Sequence, residues 1–309
     1  MEVSVIVPVY NSEGSLKALV ERLENVLSKM AEYELILVND GSGDRSWEVV
    51  RELTTRYSWI TGINLMKNYG QHNALLCGIR LARYPVIVTI DDDLQHPPEE
   101  ISKLLAKLEE GYDVVYGRPQ HEQHGLWRDL ASFITKFTLQ NAMGASTAGS
   151  VSAFRAFRTS LRNSFEDYRG AFVSIDSLLT WGTSQFAAVQ VRHEERTIGV
   201  SNYTFRKLLI HSMNMMTGFS TLPLQIATYV GFVFTLFGFA VLAFVLVRYV
   251  VQGESVPGFP FLASVIAIFS GAQMFALGVI GEYLARMYVR TSEQPAYVVR
   301  DTQSAKNQL

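Results

Sequence analysis

From Leu208 to Val247 the sequence contains no aspartate, glutamate, lysine or arginine, and a second such stretch runs from Ser255 to Gly281. A lysine or arginine at the centre of a bilayer costs roughly 2.5–3.5 kcal/mol, so charge-free runs of this length are selected for an apolar surrounding. About 20 apolar residues in a helix cross the roughly 30 Å hydrocarbon layer. Two spans are therefore expected, at about 225–247 and 260–281, joined by a short turn with Arg248, Gly253, Glu254, Pro257 and Gly258. Arg206 and Lys207 precede the first span; Arg286, Arg290 and Arg300 follow the second. This asymmetry of basic residues predicts both flanks on the cytoplasmic side and the turn outside. The alternative is a helical hairpin buried in a soluble protein. The overall composition, 48% hydrophobic and 18% charged, agrees with a membrane part.

The rest of the chain has a different pattern. Val3–Val9, Glu34–Val38, Ile60–Leu65, Val86–Ile90 and Asp113–Tyr116 read as short buried strands. Between them, Ser15–Met30, Asp44–Tyr57 and His72–Arg83 read as helices, Asp44 as a helix cap, and Pro97-Pro98 as the start of a helix to Glu110. Such alternation predicts an α/β fold with a doubly wound, mostly parallel sheet, whose ligands bind at the carboxyl ends of the strands. Polar clusters occupy three of those ends: Pro8–Glu13, Asn39–Asp44 and Asp91–Gln95. Beyond them, Leu126, Leu130, Ile134 and Phe137 recur at helical spacing beside Trp127 and Arg128. That pattern fits a helix lying on a membrane surface, or equally one packed on the domain core. One more strand is expected at Ala187–Arg192. The expected organisation is a head over residues 1–202, an interfacial segment over 203–224, a transmembrane hairpin over 225–285 and a cytosolic tail over 286–309.

Several classes are disfavoured. A net charge of −2 argues against a general nucleic-acid binder. The one cysteine, Cys77, excludes an internal disulfide and reads as a buried, inert thiol. Met1 leads straight into an apolar strand with no basic segment before it, so the head is expected to stay cytoplasmic.

The chemistry concentrates in Asp91-Asp92-Asp93-Leu94-Gln95. Clustered carboxylates repel one another unless a cation lies between them. Oxygen donors suit Mg²⁺ or Mn²⁺, and such an ion commonly takes further ligands from substrate phosphates. A solvated acidic turn is the plainer reading of the triplet alone; its place at a strand end of an open α/β sheet favours the site. At the second strand end, Asp40 suits a ribose or base edge, with an Asx turn as the plainer reading.

Taken together, Val5-Ile-Val-Pro-Val-Tyr-Asn11, Val38-Asn-Asp-Gly-Ser42, Asn68-Tyr-Gly-Gln-His72 and Asp91-Asp-Asp-Leu-Gln-His-Pro-Pro98 resemble glycosyltransferase family 2, of GT-A fold. The likeness is greatest to the polyprenyl-phosphate glycosyltransferases. It extends over nearly the whole chain, because Gly278-Val-Ile-Gly-Glu-Tyr-Leu-Ala-Arg286 also looks like theirs. The resemblance implies nucleotide-sugar binding by Pro8, Val9, Tyr10, Glu13, Asp40 and Asn68, with Asp91 and Asp92 beside the ribose and diphosphate. It implies a metal, Mg²⁺ or Mn²⁺, held by Asp91, Asp93 and Gln95. Asp93, Arg118, Arg128 and Arg196 would act in catalysis, and the three arginines with Ser201 and Tyr203 would bind the acceptor. The partners implied are a nucleoside diphosphate sugar, with uridine favoured, a polyprenyl phosphate and the bacterial plasma membrane. The family often assembles through its membrane part, so a homo-oligomer is also an expectation.

Two departures stand out. Ser12 occupies the family's glutamate position after Tyr-Asn, with Glu13 next to it. The family also places an aspartate shortly before a Phe-Arg pair, whereas Ala148-Gly-Ser-Val-Ser-Ala-Phe-Arg155 has none; Asp176 is a candidate replacement. A lipid monophosphate is already ionised near neutral pH, so such an acceptor needs cations to hold it more than a base. The rival readings are transfer to a hydroxyl of a lipid-linked glycan, and a non-catalytic membrane scaffold with a degenerate head.

Overall fold

The period-two alternation of the first strand sets the layering. In the computed structural model, which describes residues 1–119, 151–170, 172–194, 222–252, 258–291 and 294–304, β1 spans Glu2–Val9. Its Val3, Val5, Val7 and Val9 enter one apolar cluster and Ile6 enters another. A strand buried on both faces in this way needs helices above and below it. They are α1 (Leu16–Leu27), α2 (Ser46–Arg56) and α4 (Ile101–Glu109) on the first side, and α3 (Gln71–Leu81) with α5 (Ile175–Leu179) on the second.

The strands β2 (Glu32–Asn39), β3 (Ile60–Leu65), β4 (Val86–Thr89), β5 (Val114–Pro119), β6 (Arg155–Arg158), β7 (Phe186–Val191) and β8 (Val299–Ser304) complete an eight-stranded sheet. Its order is β7-β5-β6-β4-β1-β2-β3-β8. The block β3-β2-β1-β4 is parallel throughout. Pairing then turns antiparallel at β6, which lies between β4 and β5, and at β8 beside β3. The chain runs from β1 to β2 and β3, then crosses back to β4 on the other side of β1. This reversal of strand order is where open α/β sheets form ligand crevices.

The α/β expectation holds, with a more mixed sheet than the pattern predicted. β6 contributes only Arg-Ala-Phe-Arg, too short and too charged to register as a buried run, and is held by pairing on both sides. Residues 286–309, expected as a tail, instead supply β8 to the free edge of β3. Its sequence, Val-Arg-Asp-Thr-Gln-Ser, lacks apolar alternation because an edge strand has little to bury. The C-terminal segment is nonetheless anchored: Ala296 is buried, and Tyr297 packs on the core beside Cys77 and Arg80. Asp44, expected to cap α2, sits one residue earlier; Arg45 is the cap, and the Asp44 carboxylate accepts from the Ser46 N–H (3.0 Å). Pro98–Glu100 form a 3₁₀ turn before α4.

The buried Glu34 shows how the sheet tolerates a charge. Its carboxylate accepts from the Ser4 hydroxyl (2.7 Å), the Arg83 N–H (2.8 Å) and the Arg83 guanidinium (2.8 Å). Cys77 is fully buried, as expected, and burial pushes its thiol up to about 12.

The chain divides into two compact units, Met1–Ile210 with Glu293–Leu309, and His211–Ser292. In the second, α6 (Leu222–Gln252) and α7 (Phe259–Thr291) pack as a pair, with Phe269 against Phe234 and Phe237. Both helices are long and apolar enough to cross a membrane: Leu224–Arg248 has a mean hydropathy of 2.7 and Ile268–Ala285 of 1.3. The amphipathic stretch at 126–137 and most of the interfacial segment, 203–221, lie outside the described residues.

Gly78 marks the closest approach of α3 to the sheet. A Cβ there would lie 2.4 Å from Ile6 Cγ2. We expect Gly78→Ala to destabilise the head by about 1–3 kcal/mol through overpacking, despite alanine's better helix propensity. The thermal unfolding midpoint of the detergent-solubilised protein measures this; an unchanged or higher midpoint would contradict the packing.

Candidate active site

The four parallel strands end side by side, and each end is tied to the next. Val9, Asn39 and Asn64 are in register across β1, β2 and β3. The loop after β1 is joined to the loop after β2: Asn11 N–H donates to Ser42 Oγ (3.1 Å), Gly43 N–H to Asn11 Oδ1 (2.8 Å), and Ser12 N–H to Ser46 Oγ (2.7 Å). Asn11 reaches these partners with φ +54, a left-handed conformation that asparagine tolerates.

The end of β2 grips the loop after β3. Asp40, nearly fully buried, accepts from the N–H groups of Tyr69 (2.7 Å) and Gly70 (2.8 Å). Burial raises its pKa, and those two hydrogen bonds offset part of the rise. Gly41 lets the loops approach: its φ is +64 and a Cβ would lie 2.5 Å from the Asn68 nitrogen. The β3 loop meets β4 through Gln71, whose amide donates to Asp91 Oδ1 (2.6 Å). Asp92 closes the ring back to β1, accepting from the Tyr10 N–H (3.1 Å) and from the Ser12 hydroxyl. Burial raises the Asp92 pKa, the Asp93 charge adds to the rise, and the Ser12 and Tyr10 bonds oppose it.

The ring encloses a cleft of about 290 Å³ lined by Pro8, Val9, Tyr10, Asp40, Asn68, Gly70, Gln71, Asp91, Asp92, Asp93 and Gln95. All the residues expected for the nucleotide sugar and metal are therefore brought together except Glu13. Its carboxylate turns away to accept from the Arg45 N–H (2.9 Å), which makes it part of the β1–β2 loop connection. Gly70 and Gln71 belong to the cleft although neither was singled out. The available signal was a glycine followed by a polar residue at the start of a helix, and Gly70 does adopt φ +96 there. Ser12, a departure from the family pattern, positions Asp92 with its hydroxyl.

The triplet's three carboxylates have separate tasks. All three line the cleft with Gln95; Asp92 also joins the loops through Tyr10 and Ser12, Asp91 accepts from Gln71, and Asp93 accepts from the Gln95 N–H (3.1 Å). Among the described residues no group of three His, Cys, Asp or Glu side chains forms a cation cage. Two carboxylates and an amide oxygen fit a hard divalent ion whose remaining ligands come from phosphate oxygens. Arg118 sits exposed at the end of β5. Arg128, Arg196, Ser201 and Tyr203 lie outside the described residues. Asp176 does not line the cleft. It is buried in an ion pair with Arg155 and accepts from the Tyr116 hydroxyl (2.9 Å), so it is a core group and not a replacement for the missing carboxylate.

Comparison with known proteins gives the same picture at larger scale. The model of glycosyl transferase family 2 matches residues 4–165. The chain is 35% identical over 315 residues to the undecaprenyl-phosphate 4-deoxy-4-formamido-L-arabinose transferase of Photorhabdus laumondii, covering 99% of this chain and 97% of the relative. It is 36% identical over 312 residues to the protein of the same description from Pectobacterium atrosepticum, covering 99% and 95%. Among solved structures, glucosyl-3-phosphoglycerate synthase from Mycobacterium tuberculosis superposes with a TM-score of 0.53 at 17% identity, over 70% of this chain and 77% of that one. The last likeness is one of fold.

The Asp40 grip is open to a direct test. Hydrogen bonds to a charged acceptor contribute about 1.5–3 kcal/mol each. Asp40→Ala is therefore expected to speed amide exchange in residues 66–72 by about tenfold or more, with the β1 amides unchanged. Equal protection in parent and variant would show that the loop is held by something else.

Proposed function

The chain belongs to glycosyl transferase family 2, and on that footing we propose that it moves a glycosyl group from a nucleoside diphosphate sugar onto the phosphate of a polyprenyl lipid. It is a glycosyltransferase; the donor, the acceptor and the metal are the parts of the reading that go further. The observation that carries it is the extent of the likeness to transferases described as acting on undecaprenyl phosphate, 99% of this chain, apolar helices included. Fold likeness to the transferase head alone would leave the acceptor open.

In this reading the nucleoside lies along Pro8, Val9, Tyr10, Asp40 and Asn68, with a uridine diphosphate sugar favoured. Asp91, Asp93 and Gln95 hold Mg²⁺ or Mn²⁺, which supplies charge stabilisation to the departing diphosphate. Asp92 lies beside the ribose and diphosphate and, bound by Tyr10 and Ser12, fixes the orientation of its neighbours. The attacking atom is a lipid phosphate oxygen, and direct displacement inverts the anomeric carbon. Arg118, Arg128 and Arg196, with Ser201 and Tyr203, hold the acceptor phosphate; arginine suits this task because its planar fork matches phosphate oxygens.

The placement of Asp176 favours a phosphate acceptor over a hydroxyl. A sugar hydroxyl must lose its proton to a base during transfer. Asp176 is committed to Arg155 and Tyr116 in the core. A lipid phosphate is ionised beforehand and needs no such group. Both apolar helices are read as crossing the membrane, with head and termini on the cytoplasmic face. The basic residues at Arg206, Lys207, Arg286, Arg290 and Arg300 support that orientation. The domain arrangement proposed is the head over 1–202 completed by the C-terminal strand, with 203–224 at the interface.

The deciding experiment is a donor screen with undecaprenyl phosphate and Mn²⁺ or Mg²⁺, read by mass spectrometry. A uridine diphosphate 4-deoxy-4-formamido-L-arabinose arm belongs in it. Glycosylated lipid phosphate is expected from the parent and none from a folded Asp93→Ala variant. Transfer only to lipid-linked glycans would overturn the acceptor, and near-normal turnover by Asp93→Ala would overturn the metal assignment. NMR of the product is expected to show inverted anomeric configuration; retention would exclude direct displacement.

A further inference from the structure

Arg22 lies on α1 and is not among the cleft-lining residues, yet its guanidinium joins two carboxylates from distant parts of the chain. It donates to both oxygens of Glu99 (3.1 and 2.8 Å) and to both oxygens of Glu194 (3.0 and 3.2 Å). Exposed single ion pairs contribute little, but a guanidinium gripping two carboxylates in bidentate fashion is the geometry in which they do.

What Arg22 holds together explains its use. Glu99 follows the Asp93–Gln95 turn, and Glu194 comes shortly after β7. The Glu194 N–H donates to the Gln95 carbonyl (2.8 Å). Nearby, Arg192 donates to Glu100 through its backbone N–H (3.3 Å) and its guanidinium (2.8 Å). The His193 ring lies edge-on to the His96 ring at 5.2 Å. The turn itself is strained: Leu94 has φ +62, a conformation that costs a non-glycine residue roughly 1–2 kcal/mol. Local support comes from the Gln95 N–H bond to Asp93 Oδ1 (3.1 Å) and from the Leu94 side chain, which packs against the core.

We infer that Arg22 is a positioning residue for the Asp93–Gln95 turn, acting through Glu99 and Glu194. Glu99 and Glu194 bear like charges and share one guanidinium. Without it their repulsion is only partly offset by the nearby Arg192 charge, so the loss of Arg22 removes the clamp and loosens the 192–194 segment from the Gln95 carbonyl. The turn then relaxes toward the ordinary backbone conformation of Leu94, and Gln95 leaves its place beside Asp93. Lysine, a single point charge, cannot grip both carboxylates in this way. The inference rests on the reading of Asp93 and Gln95 as the cation side of the cleft.

The test uses the full-length protein in detergent, with Mn²⁺ binding measured by electron paramagnetic resonance of the free ion and amide exchange measured without metal. In Arg22→Ala, Mn²⁺ affinity is expected to fall about tenfold, the usual scale for residues that orient metal ligands. Exchange should rise in residues 93–97 and 192–194 while the central strands stay protected. Arg22→Lys should recover only part of the affinity. Adding Glu99→Gln to Arg22→Ala should also recover part of it, because glutamine does not repel Glu194. Parental Mn²⁺ affinity with unchanged exchange at 93–97 in Arg22→Ala would overturn the inference, and so would a double variant no better than the single one. If Asp93→Ala binds Mn²⁺ as well as the parent, the metal reading fails instead, and exchange at 93–97 still decides whether Arg22 holds the turn.

Discussion

Four strand ends joined into a closed ring of hydrogen bonds support the rest of this site. Ser42 and Ser46 join the β2 loop to the β1 loop, and Asp40 joins β2 to the loop after β3. Gln71 joins that loop to β4, and Asp92 joins β4 back to β1. Parallel strands have no direct turns between them, so nothing in the sheet itself holds their loops in register. The ring does so with side chains that range from the buried Asp40 and Ser46 to the exposed Gln71, and loops tied in advance have less conformational freedom to lose when a ligand enters. It also explains why an acidic triplet is tolerated: Asp91 and Asp92 both receive donors from the ring while lining the cleft beside Asp93.

The same division between holding and acting recurs away from the ring. Asp176, the carboxylate that chain position alone would suggest as a base, is used up against Arg155 beneath the sheet. Glu13 serves the loop connection, and Glu34 is satisfied by Ser4 and Arg83. Several acidic residues at suggestive positions are thus used within the scaffold. The chemistry left to the cleft suits the departure of a diphosphate better than the deprotonation of a hydroxyl. That balance agrees with a transferase whose acceptor is already an anion.

The two compact units follow different rules. In the head, the sheet is buried on both faces and apolar side chains point inward. In the helical pair, large side chains such as Phe232, Phe239, Leu262 and Met274 point outward, with Phe269 making the contact between helices. Apolar groups facing out over such lengths require an apolar surrounding. The chain after the second helix then returns to the head as β8, which covers the edge of β3 and removes an exposed row of backbone donors and acceptors.

The sequence alone determined the strand-and-helix alternation, the two apolar helices and the acidic run of the cleft, because each rests on local periodicity or on a run of neighbouring residues; the other cleft residues came through the family resemblance. Val3 to Val9 read as a buried strand from its own side chains, and the aspartate triplet read as a site through its place at a strand end. Only the tertiary structure decided which polar groups are free to act. β6 and β8 owe their existence to partners far away in the chain, and their own residues carry little strand signal. Asp92, Asp93, Asp176 and Glu13 are all carboxylates at suggestive positions, and folding places Asp92 and Asp93 in the cleft, Asp176 in the core and Glu13 in a loop connection. Arg22 was invisible for the same reason: its role depends on Glu99 and Glu194 meeting across the fold, a contact that no spacing in the sequence encodes.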